Sequence, residues 1–210
     1  MISTRDLAPL PDIPTLRRLT QSLATLDAAL SPEWETRYYS FNSRWAEGEM
    51  MASMRDGSGD EWFLLFCQAG AILKGLAHES PMAVGPTWAG VLSDVPVQFG
   101  GFLTEPAFSA EDASFCVWRT HGDDRWHTGT VAYPPGNDPD GSADLLSILD
   151  GNPRTYQRWA REHYEVMVSL TAVRHVYEHR PLTVEVLVRL NPDVTLEDLA
   201  DDLAEIGYPS

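Results

Sequence analysis

The sequence predicts a single α+β domain: an antiparallel β-meander with a helix before it and a group of helices after it. Three observations carry that prediction. An apolar stripe at helical spacing lies near the start, four strand-like runs with tight turns follow, and helix-capping signals recur through the last third. No internal repeat appears and no linker separates independent cores, so residues 1–210 read as one domain.

Pro9, Pro11 and Pro14 make residues 1–13 an expected extended arm. A helix is expected from Pro14 or Thr15, because proline suits the first helical turn. Leu16, Leu19, Leu23, Leu26 and Leu30 form its apolar stripe, and Ser31-Pro32 ends it. Strand-like runs then span Thr36–Trp45, Glu49–Arg55, Glu61–Cys67 and Ala71–Ala77. Ala46-Glu47-Gly48, Asp56-Gly57-Ser58-Gly59 and Gln68-Ala69-Gly70 supply the turns. The apolar density of Trp62–Phe66 points to a central strand covered on both faces.

Residues 80–112 are rich in proline and glycine and read as irregular, with short helical turns at Trp88–Leu92 and Val95–Leu103. Ser114–Thr120 and Trp126–Tyr133 read as a second hairpin, and Pro134–Gly141 as a loop. Asn152-Pro153 caps a helix to about Val166, with Tyr156, Trp159, Ala160 and His163 on one face. Further helices are expected near Leu170–Glu178 and Thr183–Leu190. A last one opens at the near capping box Thr195–Asp198 and closes at Gly207. Trp62, Leu64, Phe66, Ile72, Phe115 and Val117 are the predicted core.

Composition excludes several classes. At 43% hydrophobic and 22% charged residues over 210 positions, the chain is neither disordered nor a disulfide-stapled miniprotein. No apolar run reaches the roughly 20 residues that span a bilayer, and the first residues lack the build of a signal peptide. Two cysteines in apolar runs, Cys67 and Cys116, read as buried thiols of a cytoplasmic protein. The net charge of −16, with Lys74 the only lysine, opposes binding to nucleic acid or anionic membrane and favours a basic protein partner.

No residue pattern specifies a catalytic or metal centre. His175 and His179 share a predicted helix face but lack a third ligand, and His121 and His127 flank only Asp123 and Asp124. In the loop Asn137–Gly141, an EF-hand register puts Gly136 and Ser147 where acids are required. There is no nucleophile elbow and no phosphate-binding glycine loop, so no cofactor is expected. The segment Lys74–Ser80 is the most distinctive candidate. It sets Lys74, His78 and Glu79 at the end of a core strand, and with Asp138 and Asp140 they form the candidate cluster for a hydrolytic or metal-assisted alternative.

The segments Tyr38–Trp45 (YYSFNSRW), Glu49–Phe66 and Gly70–Ser80 (GAILKGLAHES), with Leu103–Phe108, Asn137–Ser142, Leu149–Tyr156 and Glu205–Tyr208, resemble a family of uncharacterised bacterial proteins. That resemblance covers nearly the whole chain and implies no activity. A fainter, fold-level similarity is to the SUKH superfamily of bacterial immunity proteins, although their N-terminal proline-glycine pattern is not evident here. It implies a non-catalytic inhibitor of a basic toxin. Residues 191–210 hold six acids and no base, and Leu196, Leu199, Leu203 and Ile206 are expected to turn inward. Glu197, Asp198, Asp201, Asp202 and Glu205 are then the expected docking surface, with Asp138, Asp140, Asp144 and Asp150 a second base-free stretch.

Overall fold

A computed structural model of the chain, describing residues 1–209, has a six-stranded antiparallel sheet in the order β1-β2-β3-β4-β5-β6. The strands are β1 (Tyr39–Ala46), β2 (Glu49–Arg55), β3 (Glu61–Cys67), β4 (Gly70–Leu76), β5 (Phe115–Thr120) and β6 (His127–Thr128). One face carries α1 (Ile13–Leu30) and the C-terminal helices α4 (Pro153–His163), α5 (Leu170–Tyr177), α6 (Val184–Leu190) and α7 (Ala200–Ile206). The other face is covered by residues 81–112, which hold short 3-10 turns and the five-residue helix α2 (Gly100–Thr104). No helix among the described residues is long and apolar enough to cross a membrane.

The period-2 alternation of β3 explains both layers. Trp62, Leu64 and Phe66 pack toward α1, while Phe63 and Leu65 pack toward the loop layer. All six predicted core residues are buried. Phe66 lies 6.1 Å, ring to ring, from Phe41 of β1.

Four expectations shift. Residues 1–12 are not an extended arm: Ser3 and Asp6 exchange main-chain hydrogen bonds, and Ile2 and Leu10 are buried. Apolar burial folds this segment onto the domain. The first strand begins at Tyr39 rather than Thr36, because Trp34–Thr36 form a 3-10 turn. β6 keeps only two of its eight expected residues. Beyond it Gly129 packs on the main chain of Gly90, where a Cβ would sit 1.9 Å from the carbonyl oxygen. The helix after Asn152 stops at His163, and Glu165 then adopts φ 54°, a left-handed conformation that breaks the helical path.

Candidate functional site

Residue by residue, the structure disperses the cluster Lys74, His78, Glu79, Asp138 and Asp140. The Lys74 side chain is wholly buried under the loop layer, where Nζ donates 2.7 Å to Glu61 Oε1 and lies 5.2 Å from the Phe63 ring centroid. A lysine removed from water needs such a partner, so its place is structural. His78 and Glu79 lie beyond the strand end, with 3.9 Å between His78 Nε2 and Glu79 Oε1, and the Glu79 side chain is 90% exposed.

Asp138 accepts the Ala143 and Asp144 N–H groups and thereby opens the short helix α3 (Ser142–Leu145). Asp140 is buried and accepts bonds from the Thr4 hydroxyl and from the Ser142 hydroxyl and N–H. Burial raises its pKa against those hydrogen bonds. Ser114 joins the same network, donating to the Asp140 carbonyl and accepting from Ala77 N–H. Gly141 (φ 73°) allows the loop this close, since a Cβ there would meet that of Ala77 at 2.1 Å. These contacts fasten the N-terminus, the end of β4 and the loop together. They do not aim the carboxylates at His78.

On the other helical candidates, His175 Nε2 pairs with the Pro181 carbonyl, while His179 turns onto Tyr208 at 4.8 Å. Asp123 accepts from Thr120 N–H and hydroxyl, closing the β5–β6 hairpin. Among the described residues, no three His, Cys, Asp or Glu side chains converge as a metal-ligand group.

The C-terminal acids divide. The helix starts at Ala200, and Thr195 and Asp198 cap a turn before it by reciprocal hydrogen bonds. Those bonds, the Thr195 hydroxyl foremost, hold the Asp198 carboxyl below its usual range. Asp202 is committed to Arg37 in a bidentate pair at 2.6 and 2.9 Å, so it drops out of the expected docking face. Glu197, Asp198, Asp201 and Glu205 remain exposed, and Leu199, Leu203 and Ile206 are buried as expected.

A different acidic surface is more concave. Between β1, the β2–β3 turn, α3 and α4 lies a recess of about 360 Å³ lined by Tyr38, Asp56, Asp60, Asp144, Trp159, Glu162 and neighbouring residues. Against its four carboxylates stands one guanidinium, Arg158. Tyr38 and Trp159 form its aromatic wall, 5.1 Å apart ring to ring, and His163 packs against Tyr38 at 4.2 Å.

Local chemistry fixes each acid. Asp56 Oδ1 accepts from Ser58, Gly59 and Asp60 N–H, tying the turn into a loop around its carboxylate. Burial favours the neutral form there, but the Ser58, Asp60 and Gly59 hydrogen bonds outweigh it and hold the pKa down. Asp60 Oδ1 accepts from both His78 N–H and His78 Nδ1, at 2.8 and 2.7 Å. That side-chain bond raises the His78 pKa. Gly59 lets the imidazole lie against the turn, since a Cβ would come within 3.0 Å of its Cγ.

The aromatic wall is positioned from inside by Asp27, a fully buried carboxylate of α1. Its Oδ2 accepts the Tyr38 and Tyr39 N–H groups at 3.0 and 2.9 Å, and Oδ1 accepts the Tyr156 hydroxyl at 2.7 Å. Desolvation pushes its pKa up to about 6 despite these donors. The Tyr164 hydroxyl is buried against this carboxylate, and the Tyr177 hydroxyl is buried nearby without a hydrogen bond of its own. Sequence reasoning missed Asp27, Tyr38, Asp56, Asp60, Trp159 and Glu162 as a unit. One signal existed: Asp27 stands four residues after Leu23 and three before Leu30, on the apolar stripe.

No protein-family model, curated protein or solved structure matches this chain.

Proposed function

We propose that this is a non-catalytic binding protein for a basic protein partner, of the kind an immunity-type inhibitor of a cationic toxin represents. The observation that carries the reading is the recess in which Asp56, Asp60, Asp144 and Glu162 surround the Tyr38–Trp159 wall. A guanidinium seated there meets an aromatic face and charge-assisted carboxylate acceptors together, a stronger combination than either alone. The exposed Glu197, Asp198, Asp201 and Glu205 extend the negative field, and the net charge of −16 steers a cationic surface toward it. The intracellular, cytoplasmic setting expected from the free thiols belongs to the same reading.

The test uses the partner isolated from the native cell and measures its association rate against Asp144→Asn/Glu162→Gln and Glu197→Gln/Asp201→Asn variants. All four side chains are exposed, so the fold is spared. The recess pair is expected to slow association several-fold and flatten its salt dependence, because such charges are screened beyond about 8 Å at physiological ionic strength. Unchanged rates and salt slopes in both double variants overturn the proposal.

A further inference from the structure

Asp27 projects from α1 into the core, with no solvent exposure. The donors hydrogen-bonded to its carboxylate are neutral: the Tyr38 and Tyr39 N–H groups at the start of β1 and the Tyr156 hydroxyl of α4. Further titratable groups near it are again phenols, Tyr164 at the end of α4 and Tyr177 on α5. Among the described residues, no Lys, Arg or His nitrogen lies within 4.0 Å of either oxygen. Arg37, adjacent to Tyr38 in sequence, is committed to Asp202. When ionised, Asp27 is thus a buried anion without a counter-charge, an arrangement that desolvation makes costly.

The acidic recess lies one layer of residues away. Tyr38 and Tyr39 both line it, and Trp159 of its wall packs on Tyr39 at 4.9 Å and on Tyr156 at 5.4 Å, ring to ring. The residues that bond Asp27 are therefore the ones that form or back the wall. A positive charge seated in the recess acts on Asp27 through protein rather than through water. Such an interaction is stronger, and less screened by salt, than one with the exposed Asp144 and Glu162.

We infer that Asp27 is the buried counter-charge of the recess: a guanidinium or ammonium group seated against Tyr38 and Trp159 and a proton on Asp27 exclude one another. This rests on the proposed capture of a basic partner there. An opposite charge nearby favours the ionised carboxyl, so the guest releases the Asp27 proton to solvent, and by reciprocity the proton weakens the guest. Burial raises this carboxyl to about 6, so capture is strongest above that pH and fades as pH falls through it. Two histidines also gain charge as pH falls and oppose the guest, His78 bonded to Asp60 and His163 packed on Tyr38, while Arg158 stays charged throughout. Those groups are common to wild type and Asp27→Asn, whose amide keeps the hydrogen-bonding shape but cannot carry the charge.

The experiment titrates the full chain with N-acetylarginine amide, a probe with a single guanidinium. NMR follows the Trp159 indole in wild type and Asp27→Asn, and the Asp27 carboxyl carbon in wild type. From roughly pH 5 to pH 8 the wild-type affinity is expected to rise about 5-fold more than that of the variant, and saturating probe is expected to move the Asp27 titration to lower pH. Linkage requires the two readouts to agree. Equal pH profiles with an unmoved Asp27 titration overturn the inference, and an indole that still shifts leaves the recess reading intact. An indole silent at every pH overturns both. Should Asp27→Asn lose its fold, the wild-type carboxyl decides alone: a titration unmoved by saturating probe overturns the inference.

Discussion

Replacing Asp27 by Asn removes a buried charge while keeping its hydrogen-bonding shape. The amide oxygen can accept the Tyr38 and Tyr39 N–H groups as Oδ2 does, and the Tyr156 hydroxyl can accept from the amide nitrogen. In the native protein this carboxyl has its pKa raised from 3.8 to about 6, with burial the leading cause. A raised acid binds its proton more tightly when folded, so its contribution to stability is full below pH 3.8 and is lost as pH rises through about 6. Over the whole window the loss amounts to about 3 kcal/mol, of which about half falls between roughly pH 5 and pH 8. That narrower range also stays above the sequence pI of about 4.6, where solubility is lowest. Urea unfolding of wild type and Asp27→Asn across it is expected to show the variant gaining by that amount as pH rises. Asp12, Asp56, Asp123 and Asp198 are lowered and drive stability the opposite way, but they are common to both proteins and cancel in the difference. A difference that stays flat from pH 5 to pH 8 refutes the reasoning. Asp27→Ala, by contrast, leaves two N–H groups and a hydroxyl unpaired and should destabilise at every pH.

Phe66→Ala empties a site that is 5% exposed beneath α1, and a loss of about 3–5 kcal/mol in chemical denaturation is expected; an unchanged midpoint would contradict the central placement of β3. Burial pushes the Cys116 thiol up to about 12, so native-state alkylation at neutral pH should modify the half-buried Cys67 and spare Cys116 until the protein unfolds. Peptide mapping that finds both labelled equally in the folded protein counts against the buried setting of β5.

Local pattern made most of the sheet legible. Glu49–Arg55 and Glu61–Cys67 have the bounds that their alternation and flanking turns indicate, because strand period and turn chemistry are written in adjacent residues. Contacts distant in sequence were not legible. Proline content told where residues 1–12 could not be helical, yet nothing local announced that Thr4 would bond to Asp140. The length of β6 depends on Gly129 meeting Gly90 in another segment. The acid stripe near the C-terminus was read correctly as outward-facing except at Asp202, whose partner Arg37 lies 165 positions away. The recess draws Tyr38, Asp56, Asp144 and Trp159 from separate elements, so no single motif contains it.

The burial of Lys74 has a chemical consequence for the whole surface. Its ammonium is the only lysine amine in the chain, and its side chain has no solvent exposure. The folded exterior thus presents guanidinium as its side-chain cation and offers no lysine to acylating reagents, acetyltransferases or isopeptide-forming ligases. Acetylation or conjugation at position 74 would mark molecules whose loop layer over β4 had opened, making that single amine an internal reporter of unfolding.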